Sequence, residues 1–220
     1  MNSLQKMGGV AALIEAATFV VGFALLFTLL VPAGYFAADV DPVQNAAFLA
    51  DNQAIMYLWY LTIYVVFGVF LVVLSLALYE RLKAGSPAVA QTATAFGIIW
   101  AGLVIASGMV ANVGTGVVVD LYSRDPAQAA SLWLAVNSVV RGLGGGNEIV
   151  GGLWVLLVSW AALRAGELPR ALNYLGLVLG ITGILHTAVP ALETLGAVLA
   201  LVSSCGSYGW GLVCCAVTQA

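Results

Sequence analysis

The residues of this chain that could take part in a reaction or bind a ligand are a few charged and polar side chains inside long apolar stretches. Glu15, Arg141 and Glu148 are the charges in those stretches. A charge at the centre of a membrane-spanning helix costs ~2.5–3.5 kcal/mol on insertion scales, so each needs an inward position, a partner or a function. Such a carboxylate could act as an acid or base on a lipid, whereas a group of polar side chains could bind a solute.

The segment RGLGGGNE, residues 141–148, is the strongest local anomaly in the sequence. Each glycine weakens a helix by ~1 kcal/mol relative to alanine, and the polar residues Asn147 and Glu148 follow the glycines directly. One interpretation is a broken helix whose backbone and side chains line a cavity, as in many transporters. The other is a close helix crossing, with Arg141 reaching the membrane surface and Glu148 bonded to a neighbour.

Depth along the predicted helices places several polar side chains in the extracytoplasmic half of the membrane. A rise of ~1.5 Å per residue puts Arg141 at the outer surface and Glu148 about 10 Å inside it. The candidate ligand-binding residues in that half are Glu148, Asn147, Arg141, Asn112, Asn137, His186 and Glu193. Glu15 is a separate candidate in the cytoplasmic half.

Simpler interpretations remain open for three of these candidates. His186 could lie among the lipid headgroups, and Glu193 could be a first-turn acid that favours the helix dipole. Glu15 could be a protonated packing residue, or one bonded to Thr18. The sequence alone leaves both kinds of interpretation standing.

The composition is that of a membrane protein. Hydrophobic residues make up 62% of the 220 residues and charged residues 8%, and the mean hydropathy is +1.05. The chain has no basic cluster for nucleic acid, and one histidine and three cysteines without CxxC spacing predict no metal site. No cofactor motif or catalytic triad pattern is present, so the sequence favours a protein that is not an enzyme.

Apolar runs long enough to cross a bilayer predict an all-α, polytopic helical bundle in a single membrane domain, residues 1–220. The six predicted transmembrane helices are 10–31, 54–79, 90–118, 131–163, 170–189 and 191–216. In that count, one side carries the bases Lys6, Arg81, Lys83, Arg164 and Arg170. Because loops rich in lysine and arginine stay on the cytoplasmic side of a membrane, both termini are predicted to be cytoplasmic.

Two turns on the predicted cytoplasmic side resemble each other. RLKAGSPAV and ALRAGELPRA each carry a base, then Ala-Gly, then a proline that begins the next helix. Gly85 and Gly166 suit the C′ position, where left-handed backbone is favoured, and Pro87 and Pro169 suit a helix start. The turns indicate either a duplicated helix hairpin or the same stop-and-start pattern used twice.

Four of the predicted helices carry a stripe of small residues, spaced so that each stripe occupies one face. Lipid gives helices little hydrophobic reason to associate, so close approach through small residues must hold them together. The stripe members include Gly8, Gly97, Gly152 and Gly180. We expect these faces to meet inside the bundle, with the lipid bilayer around it and other membrane proteins or a second copy as possible partners.

The order of these elements resembles the bacterial integral membrane family known as domain of unknown function 4386. The resemblance rests on the basic N-terminus, a polar outer loop ending in DNQAIMYLWY, the hairpin LALYERLKAGSP and the run GLGGGNEIVGGLWVLLVSWAALRAGELPRALNYLGLVLGITGIL. It covers roughly residues 1–200. It implies a six-helix layout in a bacterial membrane and assigns no residue a role.

The function predicted from the sequence is small-solute binding or transport through the polar pocket of the extracytoplasmic half. The alternative is a structural or accessory subunit that docks other membrane chains through its glycine-rich faces. A lipid-modifying enzyme that uses Glu15 or Glu148 is a third hypothesis, without a partner base or metal to support it. The expected location is the bacterial cytoplasmic (inner) membrane, crossed several times.

Overall fold

A computed structural model describes residues 3–37, 40–145 and 149–188, and within these ranges the chain consists of helices and connecting turns. The helices are α1 (Ser3–Leu25), α2 (Pro42–Asp51), α3 (Gln53–Tyr60), α4 (Phe67–Leu82), α5 (Pro87–Tyr122), α6 (Pro126–Val140), α7 (Ile149–Ala165) and α8 (Arg170–Ala188). Wider π-helical turns at Leu26–Leu30, Leu61–Val66 and Arg141–Gly145 follow α1, α3 and α6.

Within the part of the chain that the structure describes, four helical stretches are long and apolar enough to cross a membrane. They are Ser3–Leu30, Gln53–Leu82, Pro87–Tyr122 and Pro126–Ala165. These stretches cover the first four predicted runs to within one residue, and each begins before its run because an apolar run marks the part in lipid rather than the whole helix. The fifth run is the helix α8, and the run 191–216 lies outside the described residues, so the number six and the orientation stay predictions.

Two differences from the sequence prediction concern local structure. The polar outer loop contains the helix α2, because the Asp41 side chain accepts a hydrogen bond from the Val43 amide at 2.9 Å and Pro42 occupies the first helical position. The predicted helix 131–163 is not continuous. Its α-helical part α6 ends at Val140, and the π-helical turn Arg141–Gly145 that follows contains a non-helical residue at Gly144, as a glycine-rich segment favours.

The two similar turns use their glycines differently. Gly166 has φ +68°, the left-handed conformation that the C′ position predicts. Gly85 does not have a positive φ, so the same prediction is wrong there. Its role is close approach, because a Cβ added at Gly85 would overlap the backbone of Ala165.

The described chain forms two compact units, and α1 and α5 contribute to both. The first unit contains residues 3–16, 68–102 and 149–188. Its helices approach closely through small residues, as the stripes predict. A Cβ added at Gly152 would stand 2.8 Å from the carbonyl oxygen of Gly180, and Gly8 lies against Ala77.

The second unit contains residues 17–37, 40–67 and 103–145. Its core is aromatic and aliphatic. The buried members are Leu30, Tyr35, Ala46, Leu49, Met56, Trp59, Tyr60, Ala111, Val118, Ala129, Trp133 and Val140.

Candidate functional site

Two buried oxygens in the second unit have no hydrogen-bond partner among the described residues. They are Oδ1 of Asn112, a half-buried residue, and Oγ1 of Thr115, which is 0% exposed, both on α5. A helical threonine in lipid commonly donates to the carbonyl four residues earlier, as Thr62 does to Leu58 at 2.7 Å. An unsatisfied buried polar group costs about 1–3 kcal/mol, so this pair calls for a water or a ligand.

The face of α5 that carries these oxygens lies against tyrosines. A Cβ added at Gly108 would stand 2.6 Å from Cβ of Tyr64, and one added at Gly116 would stand 2.7 Å from the Tyr57 hydroxyl. Asn112 is four residues from each of these glycines, and residues four apart share a helix face. Asn112 therefore lies on the side of α5 that packs on Gln53–Val66.

A hydroxyl pair lies in the core of the same unit. The Tyr35 and Tyr60 hydroxyl oxygens are 3.2 Å apart and both residues are buried. Burial, with Tyr60 as a second contributor, raises the pKa of the Tyr35 phenol above its ordinary value. Tyr35 therefore stays a neutral hydrogen-bonding group at physiological pH.

Another face of α5 packs on α6. The Ser107 hydroxyl donates to the Val140 carbonyl at 3.1 Å, and Gly114 lies against Val136. Asn137, half-buried, follows Val136 on α6. Since Asn112 is on the tyrosine side of α5, the structure places these two predicted site residues on different sides of that helix.

The interruption after α6 shows features of both sequence interpretations. The chain leaves helical geometry at Gly144, as in a broken helix. It also approaches α5 closely, because a Cβ added at Gly144 would stand 3.2 Å from the Val104 amide nitrogen. Arg141 is exposed and forms no ion pair with a described residue.

The first unit contains Glu15, which is 5% exposed, and a second set of buried polar atoms. Within the described chain, Ser75 Oγ and Trp154 Nε1 have no hydrogen-bond partner, and both lie against Gly97. Neither these two residues nor Thr115 stands out in the sequence. A serine, threonine or tryptophan is ordinary in an apolar helix, and only tertiary packing decides whether its polar atom is satisfied.

Three predicted site residues, Asn147, Glu148 and Glu193, lie outside the described residues. His186 belongs to α8, but its side chain is likewise outside the described part. The described residues contain no group of three histidine, cysteine, aspartate or glutamate side chains that could hold a metal ion.

Comparisons with known proteins give one match. No curated protein and no solved structure matches this chain. A family model described as "Domain of unknown function (DUF4386)" matches residues 7–212, which is nearly the whole sequence. The family assigns no activity, so the helices and the polar sites carry any argument about function. On the extent of that match, this chain belongs to the DUF4386 family.

Proposed function

We propose that this protein binds a small neutral polar solute inside the membrane, beside Asn112 and Thr115, and passes it across the bilayer. The observation that carries the proposal is the pair of buried, unsatisfied oxygens on a helix long enough to span the membrane. A hydrogen-bond donor on a solute would satisfy both oxygens in a place where lipid offers none.

The neighbours of these oxygens suit such a solute. Their face of α5 packs on Tyr57 and Tyr64, and the Tyr57 hydroxyl already accepts a hydrogen bond from Gln53 at 3.1 Å. Phenol rings give a site apolar walls with polar tips. The side chains placed beside this face by these contacts, Tyr57, Tyr64 and Gln53, are neutral, which favours an uncharged solute over an ion.

The interruption at Gly144 supports the transport part of the proposal. Discontinuous helices are a recurring device of transporters, because their freed backbone groups and local mobility serve a binding site. Residues near the interruption and in the outer half remain predicted contributors to the path. They are Arg141, Asn137, Asn147, Glu148, His186 and Glu193; Glu15 stays a separate prediction.

The experiment uses the full chain reconstituted in liposomes, with glycerol and urea as probes. We expect stopped-flow light scattering to show faster entry of at least one probe than into protein-free liposomes. Asn112→Leu with Thr115→Val removes both oxygens, so we expect this flux to fall to the protein-free rate. The same variant should unfold at an equal or higher temperature, because unsatisfied polar atoms are gone.

The matched control is Thr62→Val, which removes a hydroxyl that is already bonded to a carbonyl. It should leave the flux unchanged. Probe entry no faster than into protein-free liposomes would contradict the proposal, and so would wild-type flux in the Asn112→Leu, Thr115→Val variant. Arg141→Ala and Glu148→Gln test the outer residues separately, and wild-type flux in both would remove those residues from the path.

The alternative function, a subunit that docks other chains through glycine faces, has less support. Gly8, Gly97, Gly152 and Gly180 lie against residues of this same chain. Those positions are therefore not open to another protein. We also propose, from its composition and from its charge pattern, that the protein lies in the bacterial inner membrane.

A further inference from the structure

Two arginines at the turn between α7 and α8 form no ion pair with any described residue. They are Arg164, in the last turn of α7, and Arg170, the first residue of α8. Glu167 lies between them in the sequence but pairs with Arg81. The Arg81 Nε donates a hydrogen bond to the Glu167 Oε2 at 2.8 Å. The one acid of the turn is thus engaged elsewhere, and no described residue forms an ion pair with the two positive charges there.

The packing of α7 on α8 shows which residues of the two helices lie at the same height along the helix axes. A Cβ added at Gly152 would stand 2.8 Å from the Gly180 carbonyl oxygen, and one added at Gly180 would stand 2.7 Å from Cβ of Leu156. In this antiparallel register Arg164 is level with Arg170. Four residues further from the turn, or about 6 Å, Trp160 is level with Tyr174.

The same packing shows which side of the hairpin these residues occupy. At ~100° per residue, Trp160 and Arg164 lie about 40–120° round α7 from the positions that face α8. Arg170 and Tyr174 lie about 40–120° round α8 from the positions that face α7, in the same sense about their own axis. Because the helices are antiparallel, this brings all four side chains to one side of the hairpin.

All four residues are exposed. Trp160 is 46% exposed and Tyr174 59%, and Arg164 and Arg170 are exposed as well. The guanidinium of Arg164 lies 5.7 Å from the centre of the Trp160 ring. This cation–π contact holds the guanidinium beside the tryptophan ring. Beyond Tyr174, the outer face of α8 is apolar, with Val178 56% and Ile181 49% exposed.

We propose that Arg164 and Arg170 bind the phosphate of an anionic phospholipid, with Trp160 and Tyr174 against its glycerol and upper chains. A guanidinium group can donate two parallel hydrogen bonds to two oxygens of one phosphate. Tryptophan and tyrosine favour the level between headgroups and chains. The apolar face beyond Tyr174 fits acyl chains, so the partner is a lipid rather than free phosphate.

The test measures lipid binding to the full-length protein in detergent by native mass spectrometry. The probes are dioleoylphosphatidylglycerol, dioleoylphosphatidylcholine and inorganic phosphate. We expect the wild type to retain phosphatidylglycerol in preference to phosphatidylcholine. Arg164→Gln with Arg170→Gln should weaken phosphatidylglycerol binding by roughly tenfold or more, since each base near a lipid surface contributes about a fivefold factor.

The matched control is Arg124→Gln, an exposed arginine in the turn between α5 and α6. It should bind phosphatidylglycerol like the wild type. If the double variant does not elute as a single folded species, Arg170→Gln alone carries the same comparison. Three results would overturn the proposal: wild-type affinity in the arginine variants, an equal loss in Arg124→Gln, or displacement of the lipid by millimolar inorganic phosphate.

Discussion

At the scale of single residues, glycines decide where helices of this chain can touch. Gly97 and Gly102 are both on α5, five residues apart. A Cβ added at Gly97 would stand 2.5 Å from Nε1 of Trp154 and would also overlap Ser75, whereas nothing lies within 4 Å of a Cβ added at Gly102. The sequence places Gly97 in a stripe of small residues, but it does not show which side chains that glycine meets.

We predict that alanine substitutions at Gly97 and Gly102 change the free energy of unfolding in opposite directions. Gly97→Ala should lower the free energy of unfolding by about 1–3 kcal/mol, because the core there is already full. Gly102→Ala should raise it by up to about 1 kcal/mol, because alanine favours the helix and meets no neighbour. Unfolding of both variants in mixed detergent micelles measures the difference. A shift of the same sign in both would contradict the packing described for Gly97.

At the scale of elements, the two similar turns lie at one end of the first unit. Gly85 meets the backbone of Ala165, and Arg81 pairs with Glu167 at 2.8 Å. The sequence placed these turns on the same side from their charges. It did not indicate that they touch, since the partners are 86 residues apart in the chain.

A double-mutant cycle tests this contact between turns. The side chains of Arg81 and Glu167 are 24% and 38% exposed, so we expect the cycle of Arg81→Met and Glu167→Gln to give a coupling of about 0.5–1 kcal/mol. The exposed pair Lys83 and Glu80 is the control, with coupling near zero. The measurement is unfolding in detergent, and a coupling near zero for Arg81 and Glu167 would mean that the bond between turns adds no stability.

The helix boundaries could be predicted only where a local signal exists. Asp125 before Pro126 accepts a hydrogen bond from the Gln128 amide at 3.0 Å and begins α6, and such caps follow from neighbouring residues alone. The break at Gly144 was one of two interpretations of a glycine run. Glycine weakens the preference for helix without specifying the backbone conformation that replaces it. The conformation at Gly144 therefore depends on its packing against α5, which the sequence does not show.

At the scale of the whole molecule, the orientation is a prediction from charge. Alkaline phosphatase, which is active only outside the cytoplasm, should be inactive when fused after Lys83 and active when fused after Arg124. The reason is that the bases of the turn after α4 are retained inside, while the turn after α5 is on the other side of one membrane-spanning helix. The opposite pattern of activities would reverse the predicted orientation of both termini.

The family, the helical fold, the first four stretches long enough to cross a membrane and the faces of small residues could all be predicted from the sequence. These properties depend on local composition and period, and both are readable along the chain. Which polar atoms lack hydrogen-bond partners was visible only in the folded chain, because the groups that could bond them are far away in sequence. The fold separates Asn112 from Asn137, and it brings Arg164 and Arg170 to the same level of the α7–α8 hairpin while Glu167 pairs with Arg81.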